Sequence, residues 1–361
     1  MYLNNEDKKT CSGCTACVNV CPVKAISMEE DEEGFLYPII NKALCINCKI
    51  CEKKCGFIKK ERNAILQAYG VKHKNLEERM TSRSGGVFVA ISDYILNKEG
   101  SIYGVIQDEK FCVKHARAIN KEQLFKFKGS KYVQSDLNDM FKKVKEDLKQ
   151  GMYVLFSGTS CQVAGLQEYL SNMNKEKLLT VDLICHGTPS QKIFNEYLKY
   201  IEEKYNKKIK EFIFRDKSFG WSGHVETIVF ENNEKITIDI FKKIFYGHNV
   251  LRPSCYHCAF ANTYNRPADM TIADFWGVEE ILPEFYDEKG VSLLYLNSEK
   301  GTKIYEKIKD NVNSIKCDKQ DCINHTWSLG KTLGEVPIRK KFWEDYKNMN
   351  FNELLKKYKY Q

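Results

Sequence analysis

Two cysteine runs near the amino terminus decide the fold of the first part of this chain. The first reads Cys11-Ser-Gly-Cys14-Thr-Ala-Cys17-Val-Asn-Val-Cys21-Pro22. The second reads Cys45-Ile-Asn-Cys48-Lys-Ile-Cys51-Glu-Lys-Lys-Cys55-Gly56. Both have the spacing C-x2-C-x2-C-x3-C. Turns this tight hold several thiolates around one compact centre, which is the arrangement that an iron–sulfur cluster requires.

The spacing also predicts which cysteines share a centre. A run of this form closed by proline is typical of bacterial two-cluster ferredoxins, and its fourth cysteine ligates the other cluster. The sequence therefore predicts two 4Fe–4S clusters, one held by Cys11, Cys14, Cys17 and Cys55 and the other by Cys45, Cys48, Cys51 and Cys21. Zinc ribbons and disulfides are the alternatives, but zinc typically takes its four ligands as two pairs rather than two runs of four.

The composition of the whole chain indicates a globular protein of two or three domains. Its 361 residues are 43% hydrophobic and 29% charged, which is the balance of ordinary soluble proteins. No apolar run is long enough to span a bilayer, and the first residues lack the apolar segment of a signal peptide, so we expect a cytoplasmic protein without membrane contact. The fifteen cysteines of such a protein favour metal ligation over disulfides.

The net charge of +8 does not indicate a nucleic-acid partner. The Lys and Arg residues are interspersed with Asp and Glu, which favours solvated, lysine-rich helix faces. A basic surface would instead suit an acidic electron-carrier protein, because complementary charge speeds encounter.

The middle of the chain alternates strands with helices. The strands Met152–Phe156 and Leu178–Ile184 are each followed by a polar loop and a helix. This pattern predicts a parallel α/β sheet, in which ligands gather at the carboxyl ends of the strands. Cys161 and Cys185, which follow the two strands, should lie on that edge.

A second loop is a candidate phosphate site. Arg83-Ser84-Gly85-Gly86 precedes a helix expected from Val87 to Asn97. Backbone N–H groups at the positive end of a helix bind phosphate readily. The alternative is a simple helix start capped by a serine.

The cysteines outside the two runs leave three interpretations open. Cys161, Cys185, Cys255 and Cys258 could ligate a further cluster or a zinc ion. Cys161 at a helix amino terminus could instead be a thiol of lowered pKa, acting as a nucleophile or redox group. Both strand-end cysteines could also be ordinary buried residues. Cys317 and Cys322, spaced C-x4-C, are expected to be unligated.

Taken in order, six motifs match one known family. They are Ser84-Gly-Gly-Val, Gly129-Ser-Lys-Tyr-Val-Gln-Ser135, Phe156-Ser-Gly-Thr-Ser-Cys-Gln-Val-Ala-Gly165, Val181-Asp-Leu-Ile-Cys-His-Gly187, Ser254-Cys-Tyr-His-Cys258 and Asp269-Met-Thr-Ile-Ala-Asp-Phe-Trp-Gly277. The chain resembles the family of coenzyme F420-reducing hydrogenase/dehydrogenase beta subunits, in the form with an amino-terminal double ferredoxin. It looks most like the bacterial branch found among polysaccharide-synthesis functions. Ser160 stands where the family usually has proline.

The resemblance implies cofactors and residues that bind them. Members of the family bind FAD and iron–sulfur clusters and pass electrons between them. On this resemblance, the loops before Val87 and before Val133 are candidates for binding the flavin, with Lys131 providing a charge for a phosphate; their residues are Arg83, Ser84, Gly85, Gly86, Ser130, Lys131 and Tyr132. The resemblance also makes Cys161, Cys185, Cys255 and Cys258 the ligands of a third 4Fe–4S cluster.

These inferences predict a ferredoxin-like two-cluster domain of the α+β class fused to a larger mixed α/β flavin-binding domain. The expected regions are the ferredoxin-like domain (1–58), the flavin-binding part (64–145), the carboxyl-terminal α/β region (146–310) and a helical tail (311–361). Residues Lys59–Asn63 are expected to form a charged linker.

The predicted function is that of an iron–sulfur flavoprotein oxidoreductase. Electrons would pass between a ferredoxin or other redox protein and a two-electron partner, either a small molecule or a protein, through FAD. The alternatives are a coenzyme F420 dehydrogenase or reductase, a thiol–disulfide reductase using Cys161 or Cys185, and a relay protein without its own turnover. The sequence leaves a homo-oligomer open.

Overall fold

The cysteine runs fold around a short β-hairpin in the computed structural model, which describes residues 2–58, 62–334 and 336–361. In the hairpin Ile26 pairs with Ile40, and Glu30 pairs with Leu36. Thr15 and Lys49 adopt left-handed backbone conformations, with φ of 59° and 57°, so the chain turns sharply inside each cysteine run before a short helix begins. The elements of this unit are α1 (Tyr2–Asn5), α2 (Ala16–Val20), β1 (Ile26–Glu30), β2 (Leu36–Ile40) and α3 (Ile50–Lys53).

The rest of the chain is organised by an eight-stranded mixed sheet with the order β13-β3-β12-β11-β7-β6-β4-β5. Strands β4, β6, β7 and β11 are parallel to one another, whereas β5, β12 and β13 are antiparallel to their neighbours. A separate three-stranded sheet has the order β10-β9-β8. The strands are β3 (Gln67–His73), β4 (Ser101–Gln107), β5 (Val113–Ala118), β6 (Val154–Thr159), β7 (Leu178–Leu183), β8 (Ile209–Ile213), β9 (Glu226–Phe230), β10 (Lys235–Ile238), β11 (Met270–Asp274), β12 (Ser292–Leu296) and β13 (Val312–Cys317).

Helices cover both faces of the large sheet. Leu155 points to a face covered by α5 and α12, and its neighbours Val154 and Phe156 point to the opposite face, covered by α7 and α8. The helices are α4 (Leu76–Thr81), α5 (Val87–Leu96), α6 (Lys121–Phe125), α7 (Met140–Lys149), α8 (Ser160–Tyr169), α9 (Gln191–Tyr205), α10 (Ile240–Tyr246), α11 (Val278–Ile281), α12 (Glu299–Ile308), α13 (Lys319–Asn324), α14 (Trp327–Gly330), α15 (Arg339–Asn348) and α16 (Phe351–Lys357).

The cysteine-rich unit packs on the face that α8 covers. Cys14 and Ala16 are buried in the same apolar cluster as Val163 and Leu166. A Cβ atom on Gly165 would lie 2.8 Å from the Cβ of Cys14, and one on Gly56 would lie 2.7 Å from the Gly165 nitrogen. The two glycines therefore permit a backbone approach that no larger residue allows.

Several element predictions were wrong in detail. The predicted helical tail begins with a strand, β13, which pairs with β3. The sequence of Ile236–Ile240 predicts a strand, but β10 ends at Ile238 and the helix α10 starts two residues later. The sequence also predicts a helix from Asp136 to about Lys149, whereas α7 begins at Met140. Residues 59–61 of the predicted linker lie outside the described residues, and the predicted domain boundaries stay predictions.

The loop predicted after β6 is also different. The strand continues through Thr159, and helix α8 begins at Ser160. Thr159 and Gln162 form a capping box at this junction, which fixes the start of the helix. Cys161 therefore lies in the first turn of α8 rather than in a loop. Within the described part of the chain, no helix has the length and apolar character needed to cross a bilayer.

Candidate redox site

Two cavities in the cysteine-rich unit each contain the four cysteines that the crossed spacing predicts for one cluster. The first is lined by residues of both runs, including Cys11, Cys14, Cys17 and Cys55. The second is lined by Cys21 together with Cys45, Cys48 and Cys51. Both cavities are almost entirely apolar around the sulfur atoms. The donor set of each cavity thus fits a 4Fe–4S cluster, and the ligand assignment itself remains a proposal.

The arrangement does not suit a single zinc ion. Four sulfur ligands at about 2.3 Å from one tetrahedral ion lie only about 3.8 Å from one another. Among the described residues, no group of three or more His, Cys, Asp or Glu side chains converges closely enough to hold one metal ion. A cubane cluster places four iron atoms between its thiolates and so separates them further.

The second cysteine set also comes together. Cys161 in the first turn of α8 and Cys185 after β7 influence each other electrostatically, and Cys255 and Cys258 influence them in turn. A bridge between Pro189 and Leu251 holds the segment carrying Cys255 against the loop that follows Cys185. The predicted convergence of the two strand ends is thus seen in the structure.

Burial raises the pKa of every thiol in this set. The pKa of Cys161, Cys255 and Cys258 is raised to about 11, and that of Cys185 well above its usual range. The interpretation of Cys161 as a thiol of lowered pKa is not favoured, because burial outweighs the hydrogen bond with the Thr159 hydroxyl at 3.1 Å. A bound metal centre would supply the positive charge that lets thiols with raised pKa values lose their protons.

Helix α8 brings the second cysteine set next to the first cavity. Cys14 lies against Gly165 of the same helix whose first turn carries Cys161. The thiols of Cys14 and Cys161 are close enough to affect each other's pKa. The first cavity and the second cysteine set are consequently neighbours in space although they are far apart in the chain.

Arg252 joins the same two groups, and nothing in the sequence marks it beyond its place before Pro253. Its side chain is only 1% exposed. It donates hydrogen bonds to the Cys11 carbonyl at 2.8 Å and to the Leu36 carbonyl at 2.9 Å. Its guanidinium also lies 4.3 Å from the centre of the Tyr37 ring. Arg252 thus places a permanent positive charge beside the first cavity.

A cationic and aromatic site lies at the carboxyl edge of the sheet. The Arg83 guanidinium donates hydrogen bonds to the Trp221 and Gly223 carbonyls, but its Nε and Nη1 groups are buried without a partner among the described residues. His224 Nδ1 is likewise buried without a hydrogen-bond partner among the described residues. Burial and the neighbouring Arg215 lower the pKa of Arg83 to about 10. Unpartnered buried donors are costly, and a bound anion would supply their acceptor.

Aromatic rings connect this site to the second cysteine set. The Tyr132 ring stacks on His224 at 5.1 Å and lies 4.9 Å from Phe245. His186, which follows Cys185, lies 5.3 Å from Phe245. Tyr132 and Cys255 pack against the same small apolar cluster. The anion site and the cysteine set are therefore parts of one continuous region.

Trp221 and Trp276 form a further aromatic surface beside Arg83. Their rings stack at 5.4 Å, and Trp276 remains 41% exposed. Arg215 lies over Trp276 at 5.3 Å and pairs with Asp274 at 2.6 Å. A planar ring system with an anionic tail matches this combination of stacked indoles and guanidinium groups.

The predicted glycine loop is packed differently from a phosphate cradle. The Ser84 hydroxyl donates to the Val291 carbonyl at 2.7 Å, so it does not cap α5. Gly85 lies so close to the sheet that a side chain would collide with the Val71 carbonyl. Gly86 is the N-cap of α5, with φ of 87°. Lys217 fixes the loop by donating to the carbonyls of Arg79, Ser82 and Ser84 at 2.7 to 2.9 Å.

The second predicted loop contributes one residue to the site. Tyr132 belongs to it, whereas Lys131 donates to the carbonyls of Lys126 and Lys128 at 3.0 and 2.8 Å. Burial lowers the pKa of Lys131 to about 7. Ser130 is half-buried beside Gly129, which has a positive φ of 79°. The structure thus directs the Lys131 ammonium to the carbonyls of its own loop and away from Arg83 and His224.

Both the dicluster domain and the region that carries the second cysteine set match models of known protein families. Residues 151–319 match the model for the carboxyl terminus of the beta subunit of coenzyme F420 hydrogenase/dehydrogenase, and residues 10–57 match the 4Fe–4S dicluster domain. The family resemblance predicted from the sequence motifs is confirmed over these two segments. The dicluster domain precedes the beta-subunit segment, as the cysteine spacing predicts.

Three similar proteins come from species of Methanosarcina and Methanocaldococcus. The F subunit of the F420H2 dehydrogenase of Methanosarcina mazei is 24% identical over 210 residues, which are 52% of this chain and 58% of that protein. An uncharacterised ferredoxin of Methanocaldococcus jannaschii is 37% identical over 60 residues, 17% of this chain and 70% of that ferredoxin. A chain of the F420-reducing [NiFe] hydrogenase complex of Methanosarcina barkeri aligns with a TM-score of 0.52 and 18% identity, covering 81% of this chain and 97% of that chain.

These matches support the fold and the family assignment. The chain spans less than two thirds of the length of the dehydrogenase protein that it matches. The structural likeness, at 18% identity, supports the fold alone. The region that matches the beta-subunit model contains the whole second cysteine set together with Arg215, His224 and Trp276, whereas Arg83 and Tyr132 lie before it.

Cys317 and Cys322 lie outside this region of the fold. Their sulfur atoms are 3.0 Å apart, and both residues are buried in the apolar cluster around Tyr295. Cys317 ends β13, which lies four strands from β7 in the order of the large sheet. The pair is thus separate from the candidate ligands, and its being unligated stays a prediction.

Proposed function

We propose that this chain is an iron–sulfur oxidoreductase that exchanges electrons between its dicluster domain and a two-electron carrier held at the Arg83 site. The observation that supports this best is the continuity of the route. Cys14 of the first cavity touches helix α8, and Cys161 lies in the first turn of that helix. Cys255 shares an apolar cluster with Tyr132 of the Arg83 site. Each proposed redox centre therefore lies next to the following one along the route.

The carrier that we propose as a resident group is FAD, which couples one-electron to two-electron chemistry when bound. The residues present fit such a group. Arg83 has two unpartnered N–H groups for a phosphate oxygen. Tyr132 and the exposed indole of Trp276, which stacks on the buried Trp221, offer flat apolar surfaces for a ring. Lys217 keeps the backbone that carries Arg83 in place through three carbonyls.

Coenzyme F420 is the second candidate for this site. The family description and the name of the Methanosarcina mazei relative both refer to this coenzyme. Its chemistry, a planar deazaflavin with an anionic tail, makes the same demands on Arg83 and the aromatic rings. The two candidates differ in how they are bound. FAD would stay on the protein during purification, whereas coenzyme F420 would be consumed as a substrate.

The thiol–disulfide alternative has less support. Attack on a disulfide requires a thiolate, whereas burial raises the pKa of Cys161 to about 11 and that of Cys185 further. A relay function without turnover is the last alternative, since the route described above would serve it equally well up to the second cysteine set.

Anaerobic purification with analysis of iron, acid-labile sulfide and flavin tests the proposal. We expect clusters together with bound flavin or, failing that, reduction of added coenzyme F420 by the reduced protein. Replacing Arg83 with Gln removes a charge-assisted hydrogen bond of about 1.5–3 kcal/mol, so binding of the carrier should weaken about ten- to hundredfold while the iron content stays constant. The proposal would be disproved if the purified protein contained zinc, lacked flavin and did not reduce coenzyme F420.

A further inference from the structure

The two cavities of the dicluster domain differ in their exposure to solvent. Every residue that lines the first cavity is buried or half-buried. In the second cavity, by contrast, Val23, Ile46 and Ile50 line the site and are 37%, 61% and 37% exposed. Cys48 is itself exposed. An external redox protein can therefore make direct contact with the side chains that line the second cavity.

The surface around the second cavity combines apolar and basic side chains. Leu44, adjacent to the first cysteine of the second run, is 52% exposed. Lys24, Lys42 and Lys49 are exposed beside it. We name these residues the second-cavity surface; they are Val23, Lys24, Lys42, Leu44, Ile46, Lys49 and Ile50. Exposed large apolar residues grouped in this way and rimmed by charge mark an interaction site more often than a free surface.

The charge on this surface is one-sided. Residues 17–28 and 34–51, which supply the whole lining of the second cavity, contain no Asp or Glu. Lys24, Lys42 and Lys49 form no ion pair with any residue that the structure describes. Their charge is therefore available to a partner rather than neutralised within the domain.

Three acidic residues at the other end of the hairpin are held in ion pairs, whereas Glu52 follows Cys51 on α3. Glu33 pairs with Arg339, Glu32 with Lys347 at 2.5 Å, and Asp31 with Lys8 at 2.7 Å. Since Arg339 and Lys347 belong to α15, these pairs attach the acidic end to the body of the protein. The basic, apolar end is left facing outward.

We propose that the second-cavity surface docks a small acidic electron-carrier protein that gives one electron to, or takes one from, the centre held by Cys21, Cys45, Cys48 and Cys51. The proposal rests on the function proposed above and identifies the partner and its site. In the direction of reduction, the carrier loses one electron and this centre gains it, with no bond made or broken. The lysines steer the encounter, and the apolar side chains exclude water where the two proteins touch.

A second copy of this chain or a membrane fits the surface less well. Two copies meeting through this surface would bring six lysines together without an acidic residue from the cavity lining. An anionic membrane would satisfy the lysines, but it could not exchange an electron with the centre beneath them. The acidic redox protein uses both features of the surface.

The test measures reduction of the full-length, anaerobically prepared protein by a reduced acidic plant-type 2Fe–2S ferredoxin in stopped flow. The triple variant Lys24→Glu, Lys42→Glu, Lys49→Glu reverses the charge of the surface. The matched control is Lys98→Glu, Lys303→Glu, Lys307→Glu, which makes the same change in net charge at exposed lysines beside or on the helices α5 and α12, on the opposite face of the large sheet.

We expect the second-order rate for the wild-type protein to fall as salt is added and to fall about tenfold or more in the surface variant at low salt. The control variant should keep the wild-type rate. Reduction by dithionite at high salt, where surface charge is screened, should be equal in all three proteins and shows that the clusters are intact.

Equal rates in the two triple variants, or a wild-type rate independent of salt, would overturn the proposal. So would binding to vesicles of anionic phospholipid that the surface variant alone abolishes, or loss of a wild-type dimer in that variant. Failure of the proposed function looks different, because a chain without iron would not be reduced by dithionite either.

Discussion

Arg252 is the residue that connects the dicluster domain to the second cysteine set electrostatically. Its guanidinium bonds the Cys11 carbonyl, and Nη2 lies 3.8 Å from the Cys11 sulfur. A buried positive charge stabilises the reduced, more negative state of a neighbouring cluster, and hydrogen bonds to cluster sulfurs raise reduction potentials in the same direction. We therefore expect Arg252→Met to lower the reduction potential of the first cluster.

The matched variant is Arg252→Lys, which keeps the charge but loses the forked hydrogen bonds. Its potential should lie between those of the wild-type protein and Arg252→Met. A redox titration followed by electron paramagnetic resonance measures all three. Equal potentials in the wild-type protein and Arg252→Met would contradict this role.

His115 makes the stability of the large sheet sensitive to acid. It is 2% exposed, stacks on Phe156 at 5.3 Å and hydrogen-bonds the Ser157 carbonyl and the Ser135 hydroxyl. Burial lowers its pKa from 6.5 to about 4. The unfolded chain therefore binds a proton at higher pH than the folded chain does, and the stability present above pH 6.5 is lost as the pH falls towards 4.

This linkage amounts to about 2 kcal/mol between pH 7 and pH 5. His115→Gln cannot titrate, so its free energy of unfolding should change less with pH than that of the wild-type protein by about that amount. Urea unfolding under anaerobic conditions at both pH values gives the difference, and the comparison removes the acid sensitivity that the clusters themselves contribute. Parallel pH dependences in the two proteins would refute the assignment.

At the level of elements, the sequence predicted those whose pattern is local and missed those that depend on distant partners. The cysteine spacing predicted the sets that line both cavities, including the crossed Cys21 and Cys55. It did not predict β13, because Val312 to Cys317 is polar and lysine-bearing and becomes a strand only by pairing with the edge of β3. The strand predicted over Ile236–Ile240 ends at Ile238, because Ile240 already belongs to the helix α10.

Site residues show the same division. The loops that carry Arg83 and Tyr132 could be found from their motifs, since a glycine loop before a helix is a local pattern. Which side chain of each loop faces the site could not, because Lys131 is directed away from it by carbonyls of its own loop. Arg252 was missed for a related reason, as its partners Cys11 and Leu36 lie more than two hundred residues away.

Helix α8 owes its contact with the dicluster domain to Gly165. In a helix, Gly→Ala normally stabilises by about 1 kcal/mol. At Gly165 the added Cβ would lie 2.8 Å from the Cys14 Cβ and 2.9 Å from its sulfur, so we expect Gly165→Ala to be destabilising instead, by about 1–3 kcal/mol. The control is Gly330→Ala in α14, where a Cβ meets nothing within 4 Å.

The same substitution should move the first cluster away from the second cysteine set. Weaker magnetic coupling between reduced clusters in electron paramagnetic resonance would show the displacement, while Gly330→Ala should keep the wild-type spectrum. If Gly165→Ala is as stable as its control and its spectrum is unchanged, then close packing of α8 does not hold the domains together.

At the scale of the whole molecule, the proposed route runs from the residues around the second cavity to the Arg83 site. Between them lie, in order, the first cavity, the second cysteine set and the aromatic rings around Phe245. Because each of these touches the next, an interruption in the middle should leave both ends intact. Cys185→Ser makes such an interruption. We expect it to lose one cluster, about four iron atoms per chain, and to leave the two clusters of the dicluster domain reducible from outside.

The two-electron carrier at the Arg83 site should then no longer be reduced, although it still binds, because none of Arg83, Tyr132 and His224 is altered. Cys112→Ser serves as the control, since Cys112 lies at the start of β5 outside both cavities and the second cysteine set. Iron analysis and single-turnover reduction of the bound carrier distinguish the outcomes. Lost iron with undiminished reduction of the carrier would mean that electrons bypass the second cysteine set, whereas lost reduction with full iron would make Cys185 a redox thiol rather than a ligand.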